Sequence, residues 1–410
     1  MQKPNKQFEN IEKLLKETAD FPTPFFVVDE KLIENNLKIL SHVKKQSGAK
    51  ILLAQKAFSC YDTYPLIQKY LDGTTASGLY EATLAHEHFN AENKENHVFA
   101  PAFTWGDIGK IQKICSHIVL NSKSQLAKFG PSCKAGGMSV SLRINPQHST
   151  QDGGIYDPCA PRSRFGVLST DDFFSLPDAH KNIDGLHFHT LCQQGFEDLE
   201  STFNSFETGF GEFFLKLCES KKGSKAYLNL GGGHHITREG YNVAGLIKFI
   251  KYIRKKYDCE IYLEPGEAVV LNSGYLISSI MDIVHNDGNI VIMDTSAACH
   301  NPDIIETRHS YTPNIFKASN VPLNSPCAKN IYRLAGNTCL SGDIIGDYQF
   351  DTQLKIGDKL VFSDMALYTI VKGNTFNGIP LPSIYIKRLN SKIELIKEPS
   401  YTDFKNRLGR

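Results

Sequence analysis

Short apolar runs alternate with helical patterns along the first two thirds of the chain. The runs are "KILLA" (50–54), "GTTAS" (73–77), "HVFAP" (97–101), "HIVLN" (117–121), "MSVSLRIN" (138–145), "GLHFH" (185–189), "AYLNL" (226–230) and "EIYLE" (260–264). Most are rich in β-branched and aromatic residues and bounded by turn formers, as strands buried on both faces are. Between them, 62–71, 79–89, 106–115, 122–129, 198–220 and 243–257 carry apolar residues at helical spacing. Eight strands, each followed by a helix or a long loop, predict a parallel (β/α)8 barrel rather than an open sheet. The second strand is the weakest of the set.

After residue 275 the texture changes. "GYLISSIMDIVH", "GNIVIMDTS", "DKLVFSDM" and "PSIYIKRL" alternate apolar and polar positions between Gly, Pro and Asn turns, which predicts an all-β domain. The strand "PFFVVD" (24–29) precedes the first barrel helix and is expected to join that sheet. The expected division is therefore an α/β barrel over 30–275, with 1–29 and 276–410 forming the β domain. The stretch 145–170 is expected as a long loop on the barrel's C-terminal side, and loops of that length are usually functional.

Composition narrows the function classes. The 410 residues carry 45 Lys plus Arg against 44 Asp plus Glu, which leaves no basic footprint for nucleic acid. No run is long and apolar enough to span a bilayer. The first twenty residues lack the apolar core of a signal peptide, and the ten cysteines include no Cys-x-x-Cys pair. Neither a zinc knuckle nor a disulfide framework is indicated, and a reducing cytoplasm is the expected compartment.

Barrel active sites form at the C-terminal ends of strands. Lys56, two residues past the first strand, could lay its methylenes on the core with its ammonium in water. Alternatively, a partly desolvated amine there could condense with a carbonyl group. "LNLGGGHH" ends the seventh strand with Gly231, Gly232 and Gly233, where barrels often bind phosphate through main-chain amides. "YLEPGEA" ends the eighth with Glu264, either a rim charge or a counter-ion for a protonated ring nitrogen. "GLHFHTLCQQ" offers His187 and His189, as a metal pair, a satisfied core pair or a ring stacked on a flat cofactor. One cofactor accounts for all four features. A lysine for an aldehyde, glycines for a phosphate, a glutamate for a pyridine nitrogen and a histidine for a ring face fit pyridoxal 5′-phosphate.

The chain resembles the fold-type III pyridoxal phosphate-dependent decarboxylases, and among them the carboxynorspermidine/carboxyspermidine decarboxylases. The motifs are "AQKAFS", "IYDPCAPRSRFGV", "GLHFHTLCQQ", "LNLGGGHH", "EPGEA", "DTSAACHNPDIIE", "AGNTCLSGD" and "ALYTIVKGNTFNG", in family order over nearly the whole length. The resemblance implies that Lys56 carries the cofactor, His189 stacks on its ring and Glu264 binds its nitrogen. Gly232, Gly233 and Tyr368 would hold the phosphate, with Cys192 where relatives place a serine. Cys339 would reach the active site of a neighbouring subunit in a homodimer and return a proton to the substrate's α-carbon. Asp343 follows it closely.

Two departures bear on substrate. Relatives commonly have Glu-Pro-Gly-Arg after strand eight, whereas the fourth residue here is Glu267, which repels a carboxylate and welcomes an amine. Strand two lacks the acidic residue of ornithine decarboxylases. The expected substrate is therefore a polyamine-like amino acid, with Glu267, Asp303, Glu306 and Asp343 as candidate ligands for its ammonium groups. The expected product is norspermidine or spermidine, in polyamine biosynthesis. A metal-dependent barrel hydrolase, a non-catalytic regulator without cofactor and an amino-acid racemase are the alternatives. No metal is expected.

Overall fold

The computed structural model describes residues 6–151, 155–170, 182–221, 223–324, 326 and 328–409. Of the loop expected over 145–170, residues 152–154 lie outside the described set, as do 1–5 and 410 of the expected β domain. The chain divides into two compact units, one of residues 33–269 and one of 1–32 with 270–410.

Strand β1 (Phe25–Asp29) belongs to the second unit. The barrel strands are β2 (Lys50–Ala54), β3 (Gly73–Ala76), β4 (Glu95–Phe99), β5 (His117–Leu120), β6 (Ser139–Arg143), β7 (Gly185–His187), β8 (Tyr227–Asn229) and β9 (Glu260–Leu263). They close into a barrel of parallel neighbours, with β2 pairing β9 through Lys50↔Tyr262 and Ile51↔Leu263. All eight expected strands are present. Ile51, Leu52, Leu53 and Ala54 are all buried, because one face of β2 fills the barrel and the other lies under helices.

The helices follow the apolar stripes. In Phe196–Ser220, Leu199, Phe203, Phe206, Phe210, Phe214 and Leu217 recur at three- and four-residue spacing and are buried. Val243–Tyr257 buries Leu246, Phe249, Ile250, Ile253 and Tyr257. Asn242 caps its start by accepting the Gly245 N–H at 2.8 Å, and Arg254, Lys255 and Lys256 complement the negative end of its dipole. Three expected helices differ in length, and the one expected over 106–115 is Trp105–Ile111. The segment 62–71 is a 3-10 turn, Tyr61–Thr63, followed by a single turn, Tyr64–Ile67, in which Pro65 lies in the first turn, where no intrahelical N–H is needed. The helix expected to stop at 129 runs instead as Lys123–Ala135, through Pro131. Proline removes one intrahelical hydrogen bond and can kink a helix without ending it.

The second unit is built on a nine-stranded sheet. Its further strands are β10 (Gly274–His285), β11 (Asn289–Met293), β12 (Ala318–Val321), β13 (Ile331–Ala335), β14 (Ile344–Phe350), β15 (Lys359–Ser363), β16 (Ser383–Lys387) and β17 (Ile393–Lys397). The order is β12-β14-β13-β11-β10-β1-β16-β17, with β15 on β10. β1 sits inside the sheet, antiparallel to β10 and parallel to β16, as its apolar run requires. β10 has three partners: besides β1, Tyr275–Ser279 pair with β15, and from Ile280 onward the strand bulges and pairs with β11. Phe26, Leu276, Ile280, Val291, Met293, Leu334 and Tyr348 share one core. The unit is not purely strand, because short helices at Ala297–His300, Asp303–Glu306 and Thr369–Lys372 and a final one at Tyr401–Leu408 accompany the sheet. No helix among the described residues is long and apolar enough to cross a membrane.

Candidate active site

Lys56, His189, Gly231, Gly232, Gly233 and Glu264 all follow the C-terminal ends of barrel strands. Lys56 Nζ lies 3.0 Å from His189 Nε2. The Lys56 side chain is reachable by solvent, yet its amine is held below the ordinary lysine range. Desolvation is the main cause and the Arg143 guanidinium the next, with Glu264 and Glu267 acting the other way. The imidazole of His189 is held well below its usual value by burial and by the positive charges of Lys56 and Arg143, so the ring is neutral.

His189 and the glycine run fix each other. Its Nδ1 lies 3.1 Å from the Gly232 carbonyl oxygen and 3.2 Å from the Gly232 nitrogen. A Cβ on Gly232 would meet the Glu264 carbonyl oxygen at 2.1 Å, and one on Gly233 the Leu191 oxygen at 1.8 Å. Gly233 also has φ +86°, so only glycine allows the β8 end to thread between the ends of β7 and β9.

Glu264 is ionised despite burial. Burial opposes the charge, but attraction to His187, with the contacts to His187 Nε2 (3.3 Å) and Asn229 Nδ2 (2.8 Å), outweighs it and holds the carboxyl down to about 2. His187 is itself pushed down by burial, against the pull of Glu264. The two histidines therefore serve different partners, Glu264 and Lys56, and do not converge as a metal pair.

Arg143, at the end of β6, is a further candidate beside Lys56 that the periodicity argument missed. Its guanidinium lies 4.5 Å from the Phe99 ring centre and 4.4 Å from that of Phe165, and Nη2 donates to the His189 carbonyl at 3.1 Å. Burial lowers it to about 10, which leaves it cationic at neutral pH. An arginine at the end of "SVSLR", inside an apolar run, was the available signal. Glu267 is buried and bonded on both oxygens, to Gln193 Nε2 at 3.1 Å and His235 Nε2 at 3.0 Å. Cys192 lies on the same loop as Gln193, its carbonyl accepting from Gln151 at 3.0 Å.

The chain as a whole has relatives among known proteins. A family model described as pyridoxal-dependent decarboxylase, C-terminal sheet domain, matches residues 25–366. The chain belongs to the pyridoxal-dependent decarboxylases. A carboxynorspermidine/carboxyspermidine decarboxylase of Campylobacter jejuni is 40% identical over 389 residues, 93% of this chain and 97% of that one. A carboxyaminopropylagmatine decarboxylase of Synechocystis is 35% identical over 393 residues, 95% of this chain and 96% of that one. The crystal structure of carboxynorspermidine decarboxylase from Campylobacter jejuni, complexed with norspermidine, superposes with a TM-score of 0.83 at 38% identity, covering 94% of this chain and 100% of that one.

Decarboxylases of this family use pyridoxal phosphate, and the barrel residues fit it. A lysine amine with lowered proton affinity, a neutral imidazole beside it, an ionised buried carboxylate and a glycine run with close-packed main chain form a donor set suited to an aldehyde, an aromatic ring, a protonated ring nitrogen and an anion. The hydrolase alternative, which placed a metal on the histidine pair, fails with the separate bonding of His187 and His189. Loss of the cofactor, which a pure regulator would require, is at odds with the retained lysine and carboxylate.

The remaining candidates belong to the sheet unit. Asp303 and Glu306 lie one turn apart and both pair with Lys372, Asp303 at 2.7 Å. Burial works against the Lys372 ammonium, but the two carboxylates hold its amine above the ordinary value. Asp343 is buried and accepts from Ser296 Oγ (2.8 Å), Thr338 Oγ1 (2.6 Å) and the Ala298 N–H (3.2 Å), so it braces the 336–343 turn. That turn presents Cys339, which is exposed and whose N–H donates to Asn377 Oδ1 at 2.8 Å. Tyr368 has φ +54° at the start of Thr369–Lys372, an uncommon backbone conformation for a bulky residue.

Proposed function

We propose that this decarboxylase removes the α-carboxylate of carboxynorspermidine or carboxyspermidine, giving norspermidine or spermidine in polyamine biosynthesis. The observation that carries the substrate class is Glu267, a buried carboxylate where relatives commonly have arginine, on the strand end that also bears Glu264. A fixed negative charge there favours a substrate with protonated amines and disfavours one with a second carboxylate.

Bound pyridoxal phosphate supplies an electron sink for the bond to the departing CO2. Lys56 would hold it, Glu264 would keep its ring nitrogen protonated, His189 would lie against its ring, and Gly232, Gly233 and Cys192 would take its phosphate. The depressed proton affinity of Lys56 lets the amine serve as a nucleophile and later accept a proton. Arg143 keeps that affinity low and pins the His189 backbone. Glu267, oriented by His235 and Gln193, would attract a distal ammonium and so bias which bond at the α-carbon breaks. The motifs, rather than any measured contact, support Cys339 as the proton donor to the α-carbon from a homodimer partner, and Tyr368 as a phosphate ligand. Asp303, Glu306 and Asp343 remain candidate ligands for further amines. A soluble cytoplasmic homodimer is the matching form.

The 35% identity with a carboxyaminopropylagmatine decarboxylase favours a second substrate, in which a guanidinium replaces an amine. CO2 release from carboxynorspermidine, carboxyspermidine, carboxyaminopropylagmatine and diaminopimelate by the cofactor-loaded protein tests both. The highest kcat/KM on either of the first two supports the proposal. Preference for the third moves the assignment to agmatine derivatives, and preference for diaminopimelate overturns the role of Glu267.

A further inference from the structure

The opposite, N-terminal end of the barrel holds a second polar cluster that the decarboxylation does not use. Glu95 opens β4, His97 lies two residues along it on the same face, and His117 opens β5. One ligand atom from each of the three lies within 4.8 Å of the other two. His97 is 1% exposed, its Nε2 is 2.8 Å from Glu95 Oε2, and its Nδ1 has no partner. The Tyr227 ring packs edge-on against His117. Unpaired buried polar atoms are rare and call for a ligand, an ion or water.

We infer that Glu95, His97 and His117 form a binding site for one divalent transition-metal ion, of the zinc class, at the base of the barrel. Two imidazoles and a carboxylate are a common zinc ligand set. Glu95 and His117 are only half-buried, which gives an ion a path from solvent. The His97 and His117 rings are nearly parallel, 14° apart with centres at 3.9 Å, so their nitrogens run side by side. Tipping one ring aims both lone pairs at a point between them. His117 is the outer of the two rings, half-buried, with its Nδ1 2.9 Å from the Ser116 hydroxyl.

Lys50 occupies the position of the competing cation. Its ammonium donates to Glu95 Oε1 at 2.7 Å and Tyr262 Oη at 3.0 Å, and also lies 3.3 Å from Glu260 Oε2. Because Glu260 is already within reach, Lys50 can retreat to it and release Glu95 to the ion. Such an ion would tie β4 to β5 at the face of the barrel associated with stability rather than chemistry.

The test uses the cofactor-loaded enzyme, freed of adventitious metal by chelator and titrated with Co2+, followed by zinc displacement. The expected result is one Co2+ per chain with visible d–d bands that zinc abolishes. His117→Gln should weaken Co2+ binding by about 100-fold while leaving decarboxylation unchanged, and Lys50→Met should tighten it by about tenfold, in the range of ligand and outer-shell effects. Absence of stoichiometric binding overturns the inference. So does binding that neither substitution alters, which would place the ion elsewhere. If His117→Gln fails to fold, Lys50→Met alone decides: unchanged affinity overturns the site.

Discussion

Lys56 Nζ stands 3.0 Å from His189 Nε2, and the other nitrogen of that ring stands 3.1 Å from the Gly232 carbonyl. The Gly232 nitrogen lies 3.2 Å from the same Nδ1. The imidazole thus couples the lysine at the end of β2 to the glycine run at the end of β8. Lys56→Ala should abolish the visible band of the bound cofactor and lower kcat by about 10³-fold or more, as loss of a covalent nucleophile does. Absorbance and CO2 release check this together. A variant that keeps the band and turns over normally would remove Lys56 from the mechanism.

Arg143 lowers the proton affinity of Lys56, so removing its charge should raise it. In Arg143→Met the pH dependence of covalent loading with pyridoxal phosphate should move to higher pH, because only the neutral amine attacks the aldehyde. Arg143→Lys keeps a charge and should shift it less. Reductive trapping of the loaded lysine over a pH series gives the midpoint, and an unchanged midpoint in Arg143→Met rules out the electrostatic role.

Glu264 has its pKa lowered to about 2 from an ordinary 4.5. A carboxyl depressed in the folded state stabilises that state fully above the unfolded value, and the contribution is lost as pH falls through the folded value. The wild-type protein should therefore lose stability between about pH 4.5 and 2. Glu264→Gln should flatten that part of the profile and lower kcat by about 10²-fold, the scale of one electrostatic contact to the reacting system. Urea midpoints against pH, measured beside CO2 release, separate the two effects.

Asp343 accepts from two hydroxyls and main-chain N–H groups around the turn that bears Cys339. Asp343→Ala leaves those buried donors unpaired and should cost about 2–3 kcal/mol of stability. Denaturant unfolding should show a lower midpoint with an unchanged slope. A loss of substrate affinity without that shift would instead make Asp343 a direct substrate ligand.

Much of the architecture was legible because it depends on local period. Eight apolar runs with helical stretches between them specify barrel strands, and the alternating pattern after residue 275 specifies a sheet. Lys56, Glu264 and the glycine run were legible because each follows a strand end, and strand ends are where barrels place chemistry. The helix through Pro131 was not, since an interior proline ordinarily ends or kinks a helix, and here burial of Leu126, Phe129 and Cys133 on both sides of it offsets that cost.

The sequence by itself determined the elements, their order and the residue types offered at the strand ends, all of which follow from spacing of two or 3.6 along one chain. Only the tertiary structure decided the partners. It set Arg143 near Phe99 and Phe165, divided His187 and His189 between Glu264 and Lys56, committed Asp303 and Glu306 to Lys372, and gathered Glu95, His97 and His117 at the barrel base. Those contacts join residues on different strands and loops, so their geometry comes from barrel closure, strand register and burial rather than from any local pattern.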